Sequence, residues 1–342
     1  MTSVFKNTRE KITVHFIHDS TLNNIDKKKF LALAEKFDQK IIFYNVDEIF
    51  SKRIAEIKSK YDRIPGSDHW TIGAAYRLFA PEILPPEISK VIYLDADTLA
   101  NLDILELWQI DIGDYPIAAK VEADTFPNES PYNLPEFAKH LHEIDLAVTN
   151  PKKLCDEFHL VKQENYFASD VMILNLEQIR KIFAEEGTTL IDASIEILTR
   201  YPLQYVDQDA LNYLFSETCY HLPAKFNVFV GQVHNFHHRT RSKEKIFDWI
   251  YHYSGYNQCF DEKIPLDMLW LECLFDSGFF DMKMFLNVVE DYRKQLDSER
   301  EKIQSTLIQL GMTDVQISEP RLILPRSKGG IFKDERRIIF DM

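Results

Sequence analysis

Two carboxylates follow a short apolar run in the first third of the chain. Residues 91–94 are Val-Ile-Tyr-Leu, and Asp95-Ala96-Asp97 come directly after them. Side chains two residues apart on a strand point to the same side, so Asp95 and Asp97 are predicted to converge on one cation, with the small Ala96 between them. Carboxylate oxygens suit Mg²⁺ or Mn²⁺, and these ions usually bind substrate phosphates as well. The alternative is a solvated turn, since residues 207–209 also read Asp-x-Asp.

Alternating strand and helix patterns place these carboxylates at the edge of a sheet. Residues 12–17 and 40–47 are predicted strands, and residues 25–37 between them are apolar at helical spacing. A strand, a helix and a strand of these lengths form a βαβ unit with parallel strands. The continuous apolar run 91–94 suits a central strand covered on both faces. We therefore predict an open, mostly parallel α/β sheet followed by helices, with ligands bound outside the carboxyl ends of its strands.

Further segments complete the predicted order of elements. Residues 71–80 are predicted to be helical and to stop at Pro81. A second helix is predicted over residues 206–216. Strands are predicted over residues 115–121, 168–176 and 247–253. The sequence contains no internal repeat.

Length, charge and cysteine content restrict the class of protein. The chain has 342 residues, a net charge of −14 and 45% hydrophobic residues, which indicates a globular protein and argues against nucleic acid as a partner. Its four cysteines are scattered, as is typical of free thiols in a reducing compartment. The sequence shows neither a signal peptide nor a membrane span, so a cytoplasmic location is predicted.

Six segments, taken together and in order, resemble glycosyltransferase family 8. They read ITVHFIHDS, AAYRLFAPEILP, KVIYLDADTLANLDILELW, NYFASDVMILNLEQIRK, YVDQDALNYLF and IYHYSGYNQCF. The resemblance implies a retaining enzyme that uses a nucleotide sugar and a divalent metal. It also implies the GT-A fold, a Rossmann-like open mixed sheet flanked by helices, over residues 1–262. The helical pattern from Leu266 onward predicts a helical C-terminal extension over residues 263–342.

Relatives open with a strand that contacts the nucleotide base, and the resemblance predicts that this strand is absent here. The motif SVFKN, which in relatives follows that strand, begins here at Ser3. Either the recorded start is too late, or another element fills that position in the sheet, or base recognition is lost.

The resemblance implies a metal site made by Asp95, Asp97 and His252. An imidazole nitrogen in an otherwise oxygen-rich site favours Mn²⁺ over Mg²⁺. The alternative for His252 is a structural histidine on a strand. The next residues, Ser254-Gly255, fit a loop whose backbone approaches a phosphate.

Arg77, Asp207 and Gln208 match family residues that contact the nucleotide sugar. The resemblance implies that Arg77 reaches the donor, that Asp207 orients sugar hydroxyls and that Gln208 lies near the anomeric carbon. The alternatives are a surface ion pair for Arg77 and a helix N-cap for Asp207. Glu122 matches an acceptor-side aspartate. Further donor contacts are implied at Ala96, Ala168, Ser169, Asp170, Gly255 and Gln258.

Three of these positions depart from the family pattern. Ala168 replaces an asparagine, Asp170 replaces a glycine, and Gln258 replaces a lysine that neutralises the diphosphate. Loss of a charged hydrogen bond of this kind weakens binding by ~1–3 kcal/mol.

Two functions from different classes follow from these observations. The first is transfer of a hexose of the glucose or galactose type from a UDP-sugar to a hydroxyl of a glycan, glycoprotein or glycolipid. The second is a degenerate, non-catalytic member that binds or scaffolds another glycosyltransferase. The C-terminal region is in addition a candidate for peripheral membrane or partner-protein contact.

Overall fold

A seven-stranded sheet organises the chain, and several candidate residues lie on its strands or directly after them. The structure is a computed structural model that describes residues 1–51, 53–61, 72–122, 153–203, 205–234, 245–254, 265–283 and 337–341. The seven strands lie in the order β2-β1-β10-β3-β6-β5-β7, and a second sheet has the order β4-β9-β8. The strands are β1 (Thr13–His18), β2 (Lys40–Asn45), β3 (Lys90–Leu94), β4 (Thr98–Ala100), β5 (Ile117–Val121), β6 (Phe167–Asn175), β7 (Cys219–His221), β8 (Val228–Phe229), β9 (Ile250–His252) and β10 (Arg337–Asp341).

The directions of the strands correct the prediction of a mostly parallel sheet. Five of the seven strands run the same way, but β10 and β6 run against them, so four of the six neighbouring pairs are antiparallel. The predicted βαβ unit of β1 and β2 is confirmed, with parallel pairing in register from Thr13 with Lys40 to His18 with Asn45. The sheet is therefore mixed.

Helices flank the sheet, and side-chain caps mark where several of them begin. Asn23, Asn175 and Thr189 each accept hydrogen bonds from backbone N–H groups of the first helical turn. The α-helices are α1 (Thr2–Asn7), α2 (Asn24–Lys36), α3 (Val46–Ile49), α4 (Arg53–Tyr61), α5 (Ala80–Ile83), α6 (Leu105–Trp108), α7 (Lys153–Asp156), α8 (Leu176–Glu186), α9 (Leu190–Arg200), α10 (Val206–Phe215) and α11 (Pro265–Asp276). In the described parts of the chain, none of the helices combines the length and the apolar character needed to cross a membrane.

The helix predicted over residues 71–80 has a different form. Residues Ile72–Phe79 form a 3₁₀ helix, and Pro81 lies in the first turn of α5 instead of ending a helix. Proline has no N–H to lose in a first turn, which explains why the chain continues through it.

Strand β3 is buried on both faces, as the apolar run predicted. Val91 and Tyr93 pack into one hydrophobic cluster, and Ile92 and Leu94 pack into the cluster on the other face. A third cluster lies under the small sheet and includes Tyr251 of β9. The carboxyl end of β3 is therefore fixed by packing from two sides.

The strand nearest the C-terminus, β10, lies in the middle of the large sheet. It pairs antiparallel with β1, where Ile339 is opposite His15, and antiparallel with β3, where Ile338 is opposite Leu94. The division of the chain at residue 262 remains a prediction. The pairing nevertheless shows that one strand from the C-terminal part belongs to the sheet that holds the candidate site.

This position predicts a large effect of a short deletion. Removal of residues 337–342 would leave the facing backbone groups of β1 and β3 without partners. At about 1 kcal/mol for each lost hydrogen bond, we expect the free energy of unfolding to fall by at least about 4 kcal/mol in urea titrations. A chain that lacks Met342 alone is the control and should unfold like the full chain. Equal unfolding midpoints for all three chains would contradict the placement of β10.

Candidate active site

The residues after β3 form a turn, which changes how the two aspartates are related. The backbone N–H and the hydroxyl of Thr98 both bond to the carbonyl of Asp95, at 3.1 and 2.7 Å. Strand β3 ends at Leu94, so strand alternation, which we used to predict that Asp95 and Asp97 converge, does not apply to them. The turn instead directs Asp97 toward the small sheet, where its carbonyl accepts from the N–H of Tyr253 at 3.0 Å.

Asp170 lies next to Asp95 because β6 pairs with β3. The N–H of Asp95 donates to the carbonyl of Asp170 at 2.8 Å, one step beyond the pair formed by Leu94 and Val171. Asn227 donates to Oδ2 of Asp170 at 3.1 Å. Like charges directly across a strand pair repel each other, so this arrangement needs cations close by.

His252 is the first side chain facing this pair that can carry a positive charge. It is 2% exposed, and its Nδ1 lies 3.4 Å from Oδ2 of Asp170 while its Nε2 lies 3.2 Å from Oδ1 of Asp97. Burial lowers the pKa of His252, but Asp170 and Asp97 outweigh burial and raise that pKa well above its ordinary value. Burial likewise raises the pKa of Asp170, while His252 and Arg77 bring it below its ordinary value.

One group of ligand atoms in the described residues is suited to a metal ion. Carboxylate oxygens of Asp95 and Asp170 and a ring nitrogen of His252 all lie within 4.8 Å of one another. Two carboxylates and an imidazole are a donor set that fits Mn²⁺ or a similar divalent ion. The predicted ligand Asp97 contacts His252 but is not part of this group.

Arg77 is the second cation, and it connects the metal side of the site to the sugar side. It is 4% exposed, with its Nη2 2.9 Å from Asp95 and its Nε 2.8 Å from Asp207. Its Nη1 donates to the carbonyl and the hydroxyl of Ser169 at 2.5 and 2.9 Å, and its guanidinium lies 4.4 Å from the ring centre of Tyr93. Burial lowers the pKa of Arg77, but Asp207 and Asp95 raise it above the ordinary value. The alternative of a surface ion pair is therefore wrong.

Asp207 and Gln208 lie in the first turn of α10, beside this arginine. The N-cap of α10 is Tyr205, so the alternative role of Asp207 as an N-cap is also wrong. The amide of Gln208 is fixed at both ends: its Oε1 accepts from the N–H of Ser169 at 2.9 Å, and its Nε2 donates to Glu122 at 3.0 Å. Glu122, placed near the acceptor by the resemblance, thus contacts the residue placed near the anomeric carbon.

The remaining predicted donor contacts fall in two groups. Ala168 and Ser169 are buried on β6, and Ala96 is exposed at the tip of the turn. Gly255 and Gln258 lie outside the described residues.

Several residues of the site were missed from the sequence. Lys120 on β5 is 1% exposed and lies 5.1 Å from the ring centre of Phe229, which in turn lies 4.9 Å from that of His252. Asn227 binds Asp170, and the hydroxyl of Tyr166 accepts from Gln208 at 3.2 Å. A lysine inside the otherwise apolar strand IAAKV was the available signal for Lys120. The other two give no local signal, since their roles depend on distant partners.

The comparisons with known proteins define the class of this chain. The profile of glycosyl transferase family 8 matches residues 1–258, so the chain belongs to that family. The galactosyltransferase LgtC in complex with donor and acceptor sugar analogues has a similar fold, with a TM-score of 0.52 and 19% identity over 82% of this chain and 88% of that one. The fold is therefore of the GT-A type, as predicted.

Two curated proteins illustrate the relationship in sequence. General stress protein A of Bacillus subtilis is 27% identical over 217 residues, which is 62% of this chain and 61% of that protein. A lipopolysaccharide 1,2-glucosyltransferase of Escherichia coli is 26% identical over 231 residues, which is 66% of this chain and 56% of that protein. The matched region spans less than two thirds of either relative.

Arg77 should be central to the stability of the site. Replacing it with methionine (Arg77→Met) keeps the apolar stem but leaves Asp95 and Asp207 without their shared cation. Removing one partner of a buried ion pair typically costs about 3–5 kcal/mol, and we expect a loss of that size in urea denaturation.

Arg200→Met is the matched control for this experiment. Arg200 forms an ion pair with Glu196 on the surface of α9 with 60% of its side chain exposed, so its replacement should cost less than about 1 kcal/mol. If both variants lose the same free energy of unfolding, the buried arginine does not hold the site together.

Proposed function

We propose that this chain transfers a hexose from a UDP-sugar to a hydroxyl group with retention of configuration and with help from a divalent metal. The observation that carries the proposal is the connection of Asp95, at the candidate metal group, to Asp207 through the single buried side chain of Arg77. A nucleotide-sugar transferase needs these two charge environments side by side, because its substrate separates charge when the sugar–phosphate bond breaks.

The leaving side of the reaction calls for positive charge. When bound by Asp95 and His252, a divalent cation would supply Lewis-acid stabilisation to the diphosphate. Arg77 is buried and permanently charged, and its orientation is fixed by Ser169 and by the ring of Tyr93. We infer that it holds Asp95 in position and adds positive potential behind the leaving group.

The sugar side calls for negative charge and fixed dipoles. Positive charge develops at the anomeric carbon as the bond to the diphosphate lengthens, and the carboxylate of Asp207 would stabilise it. Gln208 cannot rotate freely, since both ends of its amide are hydrogen-bonded. A fixed dipole of this kind costs no reorganisation when the charge appears.

The acceptor is proposed to be a hydroxyl of a glycan or glycolipid, with a glycoprotein as a further candidate. One relative is named as an enzyme that glucosylates lipopolysaccharide, which supports a sugar or lipid-linked sugar acceptor. Glu122 lies beside Gln208 and is the side chain proposed for the acceptor side. The proposed location is the cytoplasm.

The proposal is tested by release of UDP from UDP-glucose, UDP-galactose and their N-acetyl forms, with Mn²⁺ or with a chelator. We expect metal-dependent release from at least one donor. Asp95→Asn should reduce that release by at least about 100-fold, because it removes a ligand charge without changing side-chain size.

Asp114→Asn is the control variant, since Asp114 lies on the exposed surface where it contacts Gln178. Its rate should equal that of the unaltered chain. Failure of all four donors to release UDP, together with no UDP binding by calorimetry, would favour the non-catalytic alternative. The support for that alternative is that Ala168 and Asp170 depart from the family pattern at positions implied to contact the donor.

A further inference from the structure

Asp170 brings a carboxylate to a position where the family resemblance implies glycine. We propose that Asp170 is an additional ligand of the divalent cation, which it binds together with Asp95 and His252. This inference rests on the metal site of the proposed function and extends it by one ligand.

The first support is the pairing of β3 with β6. The backbone bond from Asp95 to Asp170 sets the two residues side by side, and their carboxylates converge with His252 on a region 4.8 Å across. Ligand atoms around one octahedral ion lie about 3–4.3 Å apart at the bond lengths of such ions, so only small side-chain movements are needed.

The second support is the environment of the buried His252 imidazole. Its side chain is 98% buried, and its Nδ1, 3.4 Å from Asp170, makes no hydrogen bond within the parts of the chain that the structure describes. A buried polar atom without a hydrogen bond is costly, and a metal ion on that side of the ring would satisfy it.

The surroundings of Asp170 fit a ligand better than a purely structural ion pair. Asn227 fixes the orientation of the carboxylate through a neutral amide, which does not neutralise its charge. Asp97 contacts the opposite ring nitrogen at 3.2 Å and orients the imidazole. The ring is therefore held from one side and presented to Asp170 on the other.

An extra carboxylate has opposite consequences for the two ligands of the site. It adds attraction for the metal, and it adds repulsion for the diphosphate that the metal must bind. Asp170→Asn removes the charge and retains an oxygen that can accept from Asn227.

The first test measures binding of Mn²⁺ by electron paramagnetic resonance, and of UDP by calorimetry at saturating Mn²⁺. For Asp170→Asn we expect Mn²⁺ affinity to fall about 10- to 100-fold and UDP affinity to rise about fivefold. Unchanged Mn²⁺ affinity would overturn the proposal. A residue that merely positions His252 would instead lower both affinities.

The second test places a thiol at the same position. With Co²⁺, Asp170→Cys should show a thiolate-to-cobalt charge-transfer band in the near ultraviolet, since a coordinated thiol loses its proton. The surface variant Asp114→Cys controls for adventitious thiolates, and circular dichroism confirms that both variants fold. A folded Asp170→Cys protein that binds Co²⁺ without this band would show that residue 170 is not a ligand.

Neither binding experiment requires a sugar donor or turnover. A chain that binds Mn²⁺ through Asp170 but releases no UDP would retain this inference and contradict the proposed function. If the chain releases UDP and Asp170→Asn binds Mn²⁺ as tightly as the unaltered chain, the proposed function stands and this inference is wrong.

Discussion

The buried guanidinium of Arg77 is the interaction on which the site depends. This one side chain contacts two carboxylates, the carbonyl and the hydroxyl of Ser169, and the ring of Tyr93. A buried ion network does not by itself increase stability relative to an apolar core, because removing charges from water is expensive. Its presence in a 4%-exposed position is better explained by the charge pattern it sets up. Through its ion pairs with Asp95 and Asp207, Arg77 connects the end of β3 to the start of α10.

The same constraint explains how the chain tolerates so many carboxylates in one place. Asp95 and Asp170 are neighbours across two paired strands, and Asp97 lies in the same turn as Asp95. Their negative charges would otherwise repel each other, and two basic side chains, Arg77 and His252, lie beside them and reduce this repulsion. The imidazole of His252 lies between Asp97 and Asp170, and these two carboxylates raise its pKa well above the ordinary value.

Much of the fold follows from local patterns, whereas the site follows from pairings between distant segments. Strand β3, the βαβ unit and helix α10 were predicted because their signals lie within a few residues. The pairing of β6 with β3 brings Asp170 to Asp95, and no local pattern specifies that register. The same holds for β10, whose five residues give no indication that they lie in the middle of the sheet. The turn at residues 95–97 was read as a continued strand because two aspartates separated by alanine suit either geometry. His252 was found only through the family resemblance, since a lone histidine on a strand is ambiguous.

The central claim is that Asp95 and His252 hold a cation against a diphosphate. It is tested most directly by anomalous scattering from crystals of the full chain soaked with Mn²⁺ and UDP. The account predicts one manganese peak at about 2.1–2.3 Å from a carboxylate oxygen of Asp95 and a ring nitrogen of His252, in contact with density for the diphosphate. A manganese peak bound elsewhere, or UDP bound with the two side chains turned away from it, would contradict the account.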